Sequence, residues 1–107
     1  MKTAGASHGV EVYKHPQNSD AYFLRSDNGS FAHAGVLAHT LTVAFAFADY
    51  HLVDDEADRF DYENMALVCD VIADAVLRLS NAENPPKWTD VPAAQPYLER
   101  WKRLRGG

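Results

Sequence analysis

At 107 residues the chain is long enough for one domain with a real core, since 47% of its residues are hydrophobic. A formal net charge of -5 argues against a chain that coats nucleic acid or an acidic membrane. A single cysteine, Cys69, excludes an internal disulfide framework and points to a reducing, cytoplasmic setting.

The N-terminus, Met1 to Gly9, is small and polar and is expected to be partly disordered. It has no apolar core of the signal-peptide kind. Val10 to Lys14 alternates apolar and polar residues, and Ala21 to Arg25 reads as a second short strand. With the turn cluster His15 to Asp20 between them, residues 10–25 are expected to form a β-hairpin. Asn28-Gly29 marks a further reversal, and Ser30 reads as the cap of the helix that follows.

Phe31 to Val53 is the stretch the rest of the chain is organised around, broken by only one acid, Asp49. On a helix, Leu37, Leu41, Ala44, Phe45, Ala48 and Leu52 share a face, and Val36, Val43, Phe47 and Tyr50 form a second apolar stripe. Leu41, Val43, Phe45 and Phe47 also alternate with small residues, which is the pattern of a strand. Six alanines in 23 residues favour the helix, so helix 1 is expected over 31–53. No run is apolar and long enough to suggest a membrane span.

Asp54 to Glu63 carries six carboxylates and one arginine. A calcium loop needs glycine sixth and glutamate twelfth. Counted from Asp54, those places hold Arg59 and Met65, so the run reads as a solvated connection whose acids favour the next helix N-terminus. Helix 2 is expected over 61–80, capped by Asp61, with Met65, Val68, Cys69, Ile72, Ala75, Val76 and Leu79 on its apolar face. Cys69 is expected to be buried there. Pro85 and Pro86 lie beyond its end. A short C-terminal helix over 92–104 follows, with Tyr97, Trp101 and Leu104 as its stripe and Arg100, Lys102, Arg103 and Arg105 at its end.

The chemistry-bearing residues form no familiar constellation. His33 and His51 share a direction on the expected helix but lie 18 residues apart, about 27 Å along its axis. Ligands of one zinc ion each sit within about 2 Å of it, so one chain cannot chelate with this pair. No Gly-x-Ser-x-Gly, phosphate loop or dinucleotide fingerprint is present.

These observations predict an α+β, mainly α, single domain: an N-terminal β-hairpin, a long antiparallel helical hairpin and a C-terminal helix. The wide apolar arcs of the two helices predict a homodimer with a four-helix core. The function this implies is a non-enzymatic interaction or regulatory module, with an unidentified protein partner docking on Asp54, Asp55, Glu56 and Asp58. The alternative is a small-molecule or metal-binding protein, or an enzyme, with a site between the helices built from His33, Thr40, Phe47, Tyr50 and His51. No catalytic residue, metal ligand or cofactor is assigned, and neither membrane nor direct nucleic-acid binding is expected.

Overall fold

A computed structural model describes residues 1–43 and 48–106. The chain divides into two units, Met1–Lys14 with Ala44–Glu83, and His15–Val43 with Asn84–Gly107. No helix among the described residues is long and apolar enough to cross a membrane.

The first unit is built on the helix Tyr62–Ser80, to which the short helix Lys2–Ser7 is packed. We term these α4 and α1, with α2 (Asn18–Tyr22), α3 (Asn28–His33) and α5 (Gln95–Leu104) as the remaining α-helices. The start of α4 is fixed by Asp61, whose Oδ1 accepts the Asn64 backbone N–H at 2.9 Å. That bond satisfies one of the free donors of the first turn. Ala4, Val71 and Ala75 form the core, with Val10 and Val12 against them. Small residues on α1 permit the close approach: a Cβ on Gly5 would lie 2.5 Å from the Val10 carbonyl oxygen. Asp74 ties the polar rim, accepting Arg78 Nε at 2.8 Å and lying 3.7 Å from His8 Nε2.

The expected β-hairpin over 10–25 is absent: there is no strand among the described residues, and the α+β assignment is corrected to all-helical. The alternation of Val10 and Val12 serves one-sided burial against the core that α1 and α4 share instead of a ladder. Residues 18–22, where the second strand was expected to begin, are helical. Ser30 lies within α3 and does not cap it.

Among the described residues the long helix expected over 31–53 is also absent, and with it the helical hairpin and its four-helix core; residues 44–47 of that span lie outside the described residues. Helix α3 stops at His33 because Gly35 adopts φ +88°. The Val36 N–H donates to the Phe31 carbonyl and the Gly35 N–H to the Ala32 carbonyl, both at 2.9 Å. This is a Schellman stop, which uses the left-handed conformation that glycine adopts without a Cβ penalty. Residues 36–42 continue without regular structure.

The apolar face predicted for α4 is turned differently. Helix α1 covers the flank carrying Val71 and Ala75, and Met65, Cys69, Ile72, Val76 and Leu79 remain exposed. The expectation of a buried Cys69 is therefore corrected.

In the second unit α3 packs on α5. Ala32, Trp88 and Leu98 are its buried centre, with Phe23, Leu37, Tyr97 and Trp101 around them. Trp88 and Tyr97 stack with centroids 5.2 Å apart, and Phe23 meets both edge-on. Such pairs add about 0.5–1.5 kcal/mol beyond their buried area. Asn28, 7% exposed, knits the loops by donating to the Phe23 carbonyl at 2.7 Å and accepting from Thr40 Oγ1 at 2.8 Å.

Candidate functional site

The segment from Asp49 to Asp61 of the first unit concentrates the strain and the charge. Leu52 N–H donates to the Asp49 carbonyl at 2.8 Å, and Asp55 N–H to the Leu52 carbonyl at 3.1 Å, so the chain turns twice in quick succession. His51 sits in the first turn at φ +62°, the only non-glycine residue with positive φ among those described. That region costs an L-residue roughly 1–2 kcal/mol. Residues held in it gather at functional sites, where the surrounding structure over-determines them. Here the restraints are visible. The His51 N–H points at Asp55 Oδ2 at 3.4 Å, and its ring lies 3.9 Å, centroid to centroid, from that of Tyr50.

The charges around it are organised. Asp49 pairs with Arg59 at 3.3 Å across the loop. Asp54, Glu56, Asp58 and Arg59 line a shallow depression of about 170 Å³. The Tyr62 hydroxyl donates to the Ala57 carbonyl at 2.7 Å and anchors the short 3-10 turn Ala57–Arg59 to the start of α4. The result is an exposed imidazole on a loop rich in acids. Imidazole is the side chain that exchanges a proton near neutral pH or binds a metal through nitrogen. Among the described residues no group of three or more His, Cys, Asp and Glu side chains is placed to hold a metal ion.

The residues expected to line one site between two helices are divided. His33 and Thr40 belong to the second unit: His33 Nδ1 lies 2.7 Å from the Gly29 carbonyl, and Thr40 is bonded to Asn28. Tyr50 and His51 belong to the first unit, and Phe47 lies outside the described residues. The common helix face that joined them in the sequence does not form. The four acids Asp54, Asp55, Glu56 and Asp58 are exposed, and of them Asp55 meets the His51 backbone N–H.

Sequence reasoning passed over His39. Its ring rests against Phe23 and Trp88, at 5.7 and 5.6 Å, although much of the residue is exposed. This desolvation lowers its pKa below 6.5. The folded chain thus binds that proton less readily than the unfolded one. The stability His39 provides is complete above its unfolded pKa and is lost as pH falls through the folded value. The urea midpoint should therefore drop on acidification from about pH 7 to about pH 5, and less so in His39→Gln. Equal drops in the two proteins would contradict this assignment.

Residues 1–76 match the family model described as Peptidase family M28. Comparison with curated proteins and with solved structures gives no match. The family match overturns the expectation of a non-enzymatic regulatory module.

Proposed function

Since this chain belongs to peptidase family M28, we propose that it takes part in peptide-bond hydrolysis and that His51 is the side chain it brings to the reacting centre. The match over residues 1–76 carries this reading, because it contains the whole His51 loop and its carboxylates. In hydrolysis a water oxygen bonds to the scissile carbonyl carbon, the C–N bond breaks, and the departing nitrogen gains a proton. An imidazole serves such a step by taking the proton of the water or by holding a metal ion that acidifies it. The strained backbone at His51 supports the assignment, since it fixes where the ring can point.

The test is cleavage of short unblocked peptides by the full chain, with and without added divalent metal, scored by the masses of the products. New fragments that grow with protein concentration are expected. A complete absence of cleavage under every metal condition would contradict the proposal.

The single cysteine supports a reducing compartment such as the cytoplasm. The exposed stripe Met65, Cys69, Ile72, Val76 and Leu79 repeats every three to four residues along α4, which supports self-association through that helix. Native mass spectrometry reads this directly, with a dimer expected and a bare monomer contradicting it.

A further inference from the structure

The second unit carries a half-open depression of about 440 Å³, lined by none of the residues of the His51 loop. Leu37, Pro86, Trp101 and Leu104 line it with apolar surface, together with Gly35 and the charged Arg105. The volume falls in the range of small-ligand pockets, roughly 300–1,000 Å³. The Arg105 guanidinium lies 5.2 Å from the centroid of the Trp101 ring. That placement holds the cation by its attraction to the ring face. Among the described residues no carboxylate lies within ion-pair distance of it. A guanidinium so held keeps N–H donors in the fork geometry that matches a carboxylate.

Apolar walls beside one oriented cation select a ligand with an apolar body and one carboxylate. Arg100, Lys102 and Arg103 lie on the same turns of α5. With Arg105 they make four positive charges against the one carboxylate of α5, Glu99, and the excess outweighs the partial negative charge of a helix C-terminus, equivalent to about half an elementary charge. The same charges repel an ammonium group, so an amino terminus is excluded as the occupant. We propose that this cavity binds the free C-terminal end of a peptide whose last residue is apolar, side chain among Leu37, Trp101 and Leu104, carboxylate on Arg105. Only the choice of a peptide over another apolar carboxylate rests on the peptidase reading.

The experiment titrates the full chain with N-acetyl-leucine, N-acetyl-leucinamide and decanoate. Trp101 fluorescence and amide chemical shifts are followed at equilibrium, so turnover is not required. N-acetyl-leucine should bind about tenfold or more tightly than the uncharged amide, the scale of one charge-assisted hydrogen bond. Arg105→Gln, at an exposed position, should abolish that preference while leaving the circular dichroism unchanged. Shifts should centre on Gly35, Leu37 and Trp101. Failure of N-acetyl-leucine to bind, equal binding of acid and amide, or a preference that survives in Arg105→Gln would overturn the proposal. Decanoate displacing N-acetyl-leucine at lower concentration would overturn the assignment to a peptide end. A chain that binds the acid but cleaves no peptide would keep the apolar-carboxylate site and lose both the choice of a peptide and the proposed function.

Discussion

Alanine at position 35 is expected to cost the second unit about 3 kcal/mol or more, one of the larger effects a single methyl group can have. Two independent penalties act there. Gly35 holds φ +88°, where an L-residue carries a strain of about 1–2 kcal/mol. The added Cβ would also lie 2.7 Å from the Arg100 carbonyl carbon and 2.8 Å from the Trp101 nitrogen. Those atoms are backbone within α5 and cannot rotate away as a side chain would. Relief would require α3 and α5 to separate, uncovering Ala32 and Leu98, which are now buried. Domains of this size have only about 5–15 kcal/mol of total stability, so the loss should lower Tm by roughly 10 °C or more. Both tryptophans lie in this unit, so urea unfolding followed by tryptophan fluorescence reads the change. An unaltered midpoint in Gly35→Ala would mean that the α3–α5 approach is not as described.

The second large effect concerns activity. His51→Ala should lower kcat by about 10²-fold or more, the usual contribution of a positioned proton-transfer group. Alanine alone leaves an ambiguity, because it keeps the left-handed strain while losing the ring contact with Tyr50. His51→Gly resolves it. Glycine occupies φ +62° without penalty, so the turn should persist and stability should equal or exceed that of the wild type. If the imidazole is the functional element, both variants lose activity to the same extent. If the loop shape is what matters, His51→Gly stays active. Full activity in both would remove His51 from the reacting centre.

The two long C-terminal elements were legible because their patterns are local. Asp61 three residues ahead of Asn64, then apolar residues at helical spacing to Leu79, then Pro85 and Pro86, define α4 with no competing period. Tyr97, Trp101 and Leu104 behind an early Pro96 do the same for α5. The central stretch was illegible for an equally local reason. Its alanines favour a helix, but propensity is a weak prior, and the stop signal at Gly35 outweighs it once Val36 and Phe31 close the Schellman bonds. A glycine inside an apolar run was the available clue. The strands failed because alternation records one-sided burial and not pairing: Val10 and Val12 find the core shared by α1 and α4 instead of a neighbouring strand.

The site was legible only as a set of residue types. His51 and Tyr50 entered as candidates through an expected helix face, and the geometry that distinguishes His51 is a backbone angle that no side-chain periodicity encodes. The Arg105 cavity depends on residues some 70 positions apart, Gly35 and Arg105, meeting through the α3–α5 packing. The family match covers residues 1–76, a stretch in which none of the short catalytic motifs sought in the sequence occurs.

The most direct test of the central claim is hydrolysis of an unblocked peptide in ¹⁸O-labelled water by the wild type and His51→Ala, prepared side by side. Hydrolysis places label in each new carboxyl group, so the label reports the chemical step itself. The wild type should yield labelled product and His51→Ala none above buffer. Label absent from the wild-type reaction, or equal from the two proteins, would contradict the account.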